Sequence, residues 1–272
     1  MDVTRSGPLS RGAAVAASAL LLASGFAGLV YEVVWMRELG LVLGNTARAA
    51  AATLAAFFLA FGAGSQVLGR RAVGWRRPLR AYGLLELATA AAAAVFLLSR
   101  GAVGAVDAAV FRTFGPAHPL GEVARLLAGS VPILPAAFCM GGTLPAIAGA
   151  FARDARALGR SGPILYLVNT VGAVLGALAS GFALPSRIGY AATYGVALAI
   201  SAAAGGAACL LDAVRPAAVP AAAVPPAPDP GPGRALLALA FLSGALTLAL
   251  EVLATRAFAQ VLQNSAHTYA VV

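Results

Sequence analysis

Apolar residues along this chain fall into long runs separated by polar segments, unlike the alternating or one-sided patterns of soluble strands and helices. The runs are about 20 residues long, which is the length that an α-helix needs to cross the hydrocarbon core of a bilayer. Seven runs can be distinguished, at residues 12–31, 46–68, 81–99, 123–151, 163–184, 190–211 and from 234 onward. The pattern predicts an all-α polytopic membrane protein.

Composition and charge agree with this fold class. Of the 272 residues, 60% are hydrophobic and 11% are charged, which is more apolar surface than a soluble core requires. All 19 basic residues are arginine and the net charge is +9, yet no arginine run is interleaved with stacking aromatics as single-strand binding requires. We therefore expect no nucleic-acid partner. The lipid bilayer is the expected partner, and the arginines set the topology.

Arginine positions predict the orientation in the membrane. Clusters at residues 70–80 and 153–160 mark loops on the cytoplasmic side, where positive charge accumulates. With both loops inside, the N-terminus is also cytoplasmic. The first apolar run is too long for a signal peptide, so we interpret it as an uncleaved helix. We expect a multi-pass protein of a bacterial-type plasma (inner) membrane.

Four segments follow from this topology. They are a cytoplasmic N-terminus at residues 1–11, a six-helix transmembrane half at 12–211, an Ala/Pro-rich cytoplasmic linker at 212–233, and the truncated start of a second transmembrane half at 234–272. Two six-helix halves in parallel orientation are the plan of major-facilitator transporters. The expected architecture is thus a major-facilitator-like six-helix half plus the start of a second half.

An internal repeat supports the division into halves. The segment of 28 residues that begins at Ser24 recurs after a shift of 219 positions, far longer than a solenoid period. The identical pairs include Glu32/Glu251 and Arg37/Arg256, which are charged residues in apolar surroundings. Each half is therefore expected to open with the same helix, and the two glutamates are expected to face the interior between the halves.

Polar residues within the apolar runs are the candidate functional residues. Such residues are costly in hydrocarbon and usually face a bundle interior or a water-filled cavity. Acidic groups there suit a cationic ligand such as a polyamine. The alternative is that each acid is paired with an arginine only to make insertion tolerable. The candidate ligand-binding residues are Glu32, Glu86, Asn169 and Glu251, and the candidate charge partners are Arg37 and Arg256.

Two segments are expected to depart from simple straight spans. The run at residues 123–151 contains three prolines, among them Pro132 and Pro145. Proline removes a backbone donor, so the helix there is predicted to be kinked or broken. The segment from Arg100 to Pro119 is predicted to form either a short helix on the outer surface or an ordinary structured loop.

Several separated motifs resemble one known family. Residues 166–176 read YLVNTVGAVLG, residues 140–145 read MGGTLP, and Ser24-Gly25 precedes the YEVVW of residues 31–35. Together they resemble the membrane-embedded spermidine synthase-like proteins, also described as fused major-facilitator/spermidine synthases. The resemblance implies a polytopic module that in many relatives is joined to a cytoplasmic aminopropyltransferase-like domain using decarboxylated S-adenosylmethionine.

No stretch of this chain resembles the nucleotide-binding half of such an enzyme. His118 and His267 are far apart and lack nucleophile spacing, so we expect no catalytic, cofactor-binding or metal-binding residue and no cofactor in this chain. The glycines of the apolar runs have no preceding strand, so we interpret them as helix-packing positions rather than a phosphate loop. They are Gly62, Gly64, Gly69, Gly172 and Gly176.

Two alternative functions follow. The first is the integral membrane module of a spermidine synthase-like protein, anchoring or serving an aminopropyltransferase-type domain that this chain does not contain. The second is a major-facilitator-like carrier of polyamine or another small organic cation. The residues after Val272 discriminate between them, because a strand and glycine-rich turn after the last span favour the first. Whether the protein takes part in catalysis stays open.

Overall fold

The computed structural model of the chain describes residues 11–43, 47–72, 74–115, 118–151, 155–213 and 233–262. Every element in these ranges is helical. Six segments within them are long and apolar enough to cross a membrane. The prediction of an all-α polytopic membrane protein is thereby confirmed. The linker predicted at 212–233 falls almost entirely outside the described residues.

Eight α-helices make up the described chain. They are α1 (Arg11–Leu43), α2 (Ala47–Ala72), α3 (Pro78–Phe114), α4 (Pro119–Ser130), α5 (Leu134–Phe151), α6 (Ala155–Leu178), α7 (Leu184–Ala213) and α8 (Arg234–Leu262). A short 3₁₀ turn joins α4 to α5, and a π-helical turn joins α6 to α7. The continuous apolar segment from α6 to α7 is 52 residues long, enough for two crossings of a bilayer.

Helices α1 and α6 lie side by side with their backbones in direct contact. A Cβ atom built on Gly172 would lie 2.1 Å from the backbone oxygen of Leu22, and one on Gly176 would lie 2.2 Å from that of Phe26. Only glycine allows so close an approach, so the packing interpretation of both glycines is confirmed. Residue numbers rise together along the contact, so the two helices run parallel.

Helices α2 and α5 make an equivalent contact. A Cβ atom on Gly64 would lie 1.9 Å from the backbone oxygen of Phe138, and one on Gly141 would lie 2.0 Å from that of Phe61. Further along the contact, a Cβ atom on Gly69 would lie 3.5 Å from the Pro145 ring, so residue numbers rise together and these two helices also run parallel. The packing interpretation is therefore confirmed for Gly64. It is wrong for Gly62, where an added Cβ would meet nothing within 4 Å.

Helices α3 and α7 form the third close pair. A Cβ atom on Gly83 would lie 2.6 Å from the backbone oxygen of Gly205, and the reciprocal distance is 2.7 Å. Arg77, which precedes α3, pairs with Asp212 at the end of α7, with a nitrogen–oxygen distance of 3.3 Å. The start of α3 therefore lies beside the end of α7, and the two helices run antiparallel.

The chain reverses direction within the first residues of α7, at Gly189. Gly189 has φ of 78° and ψ of 163°, a conformation with positive φ that glycine adopts without the strain other residues meet. Because α6 runs parallel to α1, and α7 returns to the level at which α1 and α3 begin, the turn lies close to Gly189. The tight turn predicted at residues 185–189 is confirmed.

The helix pairs form a symmetric scheme when α4 and α5 are counted as one span. The first span packs on the fifth, the second on the fourth, and the third on the sixth. If the first span is exchanged with the fourth, the second with the fifth and the third with the sixth, the same three pairs result. An inverted repeat of three plus three helices, such as each half of a major-facilitator transporter contains, has this property.

The fourth span is interrupted, as predicted, but only at one of its prolines. The 3₁₀ turn Val131–Ile133 contains Pro132 and separates α4 from α5. Pro145 lies within α5 without ending it. The difference has a physical reason, because distortion at a proline can be absorbed when neighbouring helices hold the backbone, and α5 packs against both α2 and α3.

The segment after Arg100 is neither a separate helix nor a loop. Helix α3 continues through it and is 37 residues long, or about 55 Å, which exceeds the thickness of a bilayer core. The sequence from Arg100 to Phe114 contains no proline, and α3 ends at Gly115, where φ is 75°. The Arg125 guanidinium pairs with the Asp107 carboxylate and holds α4 against this extension.

The glycine contacts predict that Gly64 is sensitive to substitution, whereas Gly62, half a turn away, is not. Gly64→Ala places a methyl group against the α5 backbone and should lower the free energy of unfolding by about 1–3 kcal/mol, as overpacking does. Gly62→Ala should be neutral or slightly stabilising, because alanine favours helices. Thermal unfolding of both variants in detergent measures the difference, and equal stability of the two variants would contradict direct backbone packing.

Candidate functional site

Polar and aromatic side chains of α1, α3 and α7 meet inside the bundle at three levels. Along α1 and α3 the residues concerned recur at a spacing of seven, and along α7 at spacings of seven and four, each of which returns to about the same helix face. Successive levels are therefore about 10 Å apart. The first layer contains Ser24, Glu86 and Ser201; the second contains Tyr31, Ala93 and Tyr194; the third contains Glu38, Arg100 and Tyr190.

The first layer is built around Glu86, which is 2% exposed. The Ser24 hydroxyl donates a hydrogen bond to its carboxyl group, and the hydroxyls of Tyr82 and Ser201 lie beside it. Tyr82 itself donates to the backbone oxygen of Leu20 at 3.0 Å. Within the described part of the chain, no arginine contributes to the surroundings of this carboxyl. It is thus a buried acid among hydroxyl groups.

The second layer is an aromatic cluster with one hydrogen-bond chain. The Trp35 Nε1 donates to the Tyr194 hydroxyl at 2.9 Å, and that hydroxyl donates to the backbone oxygen of Ala93, also at 2.9 Å. Tyr31 stacks on Trp35 with ring centroids 5.6 Å apart. Tyr31 and Trp35 therefore lie in the bundle core, and the three helices are joined through the Tyr194 hydroxyl.

The third layer is ionic. The Glu38 carboxylate accepts from Arg37 Nη1 at 2.6 Å and also pairs with Arg100. The Arg37 guanidinium lies 3.8 Å from the centre of the Tyr190 ring, a cation–π contact. Arg37 thus pairs with its neighbour Glu38, whereas Glu32, five residues earlier, points about 140° away around the helix.

A shallow pocket of about 220 Å³ of free space opens at the third layer. Glu38, Arg100, Tyr190 and Tyr194 line it. Its enclosed part has room for about one water molecule. The pocket is consequently too small for an organic ligand in this conformation, and its carboxylate is already occupied by two arginines.

Glu32 and Glu251 come together on another side of α1. Glu32 follows Tyr31 and therefore lies about 100° around the helix from the three layers. The Glu32 carboxyl interacts electrostatically with that of Glu251 on α8, and Val252 packs against a small cluster that includes Met36. Arg256 is exposed. The two equivalent acids of the repeat thus lie within electrostatic range of each other, one on α1 and one on α8, which packs mainly on α2.

Asn169 lies apart from all these acids. Its backbone oxygen is at the α1–α6 crossing, 2.1 Å from where a Cβ on Gly25 would be. The four candidate ligand-binding residues therefore do not form one site: Glu32 and Glu251 are neighbours, whereas Glu86 lies in the first layer and Asn169 at a helix crossing.

Several residues of the layers were not among the candidates found from sequence. Glu38, Ser201 and Tyr194 were missed, because each was judged within its own apolar run. The signal that could have found them is the spacing of polar residues by seven or fourteen in separate runs, as in Ser24 and Glu38 on α1 and Glu86 and Arg100 on α3. When two parallel helices carry polar residues at the same spacing, contact between the first two residues also brings the second two together.

The described residues contain no group of three or more His, Cys, Asp or Glu side chains that could hold a metal ion. Comparison of the chain with protein-family models, with curated proteins and with solved structures gives no significant match.

The third layer predicts which acid is coupled to Arg37. Arg37→Gln leaves Glu38 with one cation fewer and should lower the thermal unfolding temperature. Glu38→Gln should cost less in that background than in the wild type, because only the pair with Arg100 is left to lose. Glu32→Gln should change the melting temperature by the same amount in the Arg37→Gln background as in the wild type. Melting temperatures of the single and double variants test this. Coupling of Arg37 to Glu32 instead of Glu38 would contradict the described pairing.

Proposed function

We propose that this chain is the membrane module of a spermidine synthase-like protein and that Glu32 and Glu251 together bind a polyamine or another small organic cation. The module would lie in a bacterial-type inner membrane with its N-terminus in the cytoplasm. It would anchor or serve an aminopropyltransferase-type domain. The observation that carries the proposal is that two membrane-embedded carboxyl groups, one from each copy of the repeat, lie within electrostatic range of each other.

The chemistry of the pair favours a ligand with positive charge. Two carboxylates brought together in hydrocarbon repel each other and are expensive to desolvate. Arg37 is engaged with Glu38, so it does not neutralise them. A linear polyamine carries ammonium groups separated by short methylene chains, so it can offer one cation to each carboxylate and its apolar stem to the surrounding side chains.

The motifs that carry the family resemblance have a different role from the acid pair. Gly25, Gly141 and Gly172 lie where helix backbones touch, so these motif residues are explained by packing. Glu32, in contrast, lies within the YEVVW motif and has no packing reason to be acidic. This difference supports a ligand-binding role for Glu32 in particular.

A carrier is the second candidate, and the symmetric helix pairing favours it. Transporters of the major-facilitator plan bind substrate at the interface between repeats or halves, near the middle of the membrane. Uptake of radiolabelled spermidine into proteoliposomes separates the candidates. Binding accompanied by uptake supports a carrier, and binding without uptake supports a module that serves an enzyme domain.

The binding proposal is tested by titrating the purified full-length protein with spermidine. Glu32→Gln and Glu251→Gln should each weaken binding about 10- to 100-fold, because each removes a charge-assisted contact of about 1.5–3 kcal/mol. Glu122→Gln on the exposed surface of α4 is the matched control and should bind as the wild type does. Unchanged spermidine affinity in well-folded Glu32→Gln and Glu251→Gln proteins would end the proposal.

A further inference from the structure

We infer that the first layer is a proton-binding site, in which the Glu86 carboxyl takes up and releases one proton inside the bundle. This site goes beyond the proposed cation site, and it shares no residue with Glu32 and Glu251.

The Glu86 carboxyl has no cation beside it among the described residues. Glu86 is a buried acid in a membrane-spanning helix, and no described arginine contributes to its surroundings. The nearest ion pairs are Arg77 with Asp212, about 14 Å along α3 in one direction, and Arg100 with Glu38, about 21 Å in the other. An ionised carboxylate that deep in hydrocarbon needs a neutralising partner. A proton supplies neutrality without any further side chain.

The hydroxyl groups of the first layer can form hydrogen bonds with both the ionised and the protonated Glu86 carboxyl. Ser24 donates to Glu86, which suits the ionised state. The Tyr82 hydroxyl donates its proton to the Leu20 backbone oxygen, 3.0 Å away. While it donates there, the Tyr82 oxygen can accept from the protonated acid, and its proton can also turn towards the ionised carboxylate. The surroundings thus offer a donor for one state and an acceptor for the other.

Two buried hydroxyls near Glu86 can take further hydrogen bonds. Among the described residues, the Thr89 hydroxyl makes no hydrogen bond, and the Tyr31 hydroxyl has the Ser201 hydroxyl as a partner. Tyr31 lies close to Ser201 and to the Glu86 carboxyl, and Thr89 follows Glu86 by one turn of α3. Buried polar groups of this kind are usually satisfied by ordered water. Water held between these hydroxyls would give the proton a hydrogen-bonded way to reach Glu86.

The groups that face Glu86 from each packed helix are few. Helix α1 contributes Ser24 and Tyr31, α7 contributes Ser201, and α3 itself contributes Tyr82. Helix α5, which also packs on α3, carries Cys139 as its titratable side chain, half-buried. Helix α4 also packs on α3, but its Arg125 pairs with Asp107, about 30 Å along α3 from Glu86. None of the side chains that face Glu86 is a cation near neutral pH, so the charge at this site depends on the Glu86 proton.

Dicyclohexylcarbodiimide tests the inference, because this apolar reagent couples to protonated carboxyl groups within membranes. The full-length protein in proteoliposomes is treated over a range of pH, and modification at Glu86 is measured by mass spectrometry of the peptide. Labelling should fall by about tenfold per pH unit above a single midpoint. Glu38, which pairs with two arginines, is the internal control and should be labelled far less than Glu86.

Two variants and one competing ion sharpen the test. Ser24→Ala removes the donor to the ionised carboxyl, so the midpoint should move to higher pH. Ser99→Ala, whose hydroxyl donates to the Phe96 backbone oxygen elsewhere on α3, should leave it unchanged. Sodium at fixed pH should not protect Glu86, and protection by sodium would overturn the inference in favour of a metal-ion site.

The wild-type protein alone can also refute the inference. If Glu86 is labelled equally at every pH, or not at all while its carboxyl infrared band fails to titrate, the site binds no proton. Binding of spermidine is not involved in any of these measurements. Failure here therefore leaves the Glu32 and Glu251 proposal untouched, and the converse also holds.

Discussion

The fold depends on direct contact between helix backbones at glycine. In a bilayer, apolar side chains gain little by moving from lipid to a neighbouring helix, so close packing has to supply the association. Three pairs meet this requirement, at Gly172 against Leu22, at Gly64 against Phe138, and at Gly83 against Gly205. These contacts fix both the partners and their register, and every polar group in the bundle takes its position from them.

The register explains why the acids differ in their surroundings although all lie in apolar runs. Helices α1 and α3 run parallel with a constant offset, so Ser24 meets Glu86 at one level and Glu38 meets Arg100 two spacings of seven later. Glu38 is thereby neutralised, and Glu86 receives only hydroxyl groups. Glu32 lies one residue beyond the shared face and meets α8 instead. Three carboxyl groups thus have three environments: ionic, hydroxyl-lined and acid-paired.

Sequence alone predicted the spans, the broken fourth helix, the turn at Gly189 and the packing glycines at 64, 172 and 176, because each depends on local length, proline or glycine. It did not predict that α3 runs on to Phe114, since glycines at 101 and 104 resemble a loop but do not stop a helix. Nor did it predict the partners of Glu86 or Arg37. Those partners depend on the register between two helices, and the sequence of one helix alone does not contain that register.

The Trp35–Tyr194 hydrogen bond, 2.9 Å long and buried, tests the register most directly because it joins α1 to α7 at the middle layer. A double-mutant cycle of Trp35→Phe and Tyr194→Phe, followed by thermal unfolding, measures their coupling. We predict a coupling free energy of about 1 kcal/mol, since the second substitution loses a bond that the first has already removed. Strictly additive effects would contradict the layered arrangement of α1, α3 and α7.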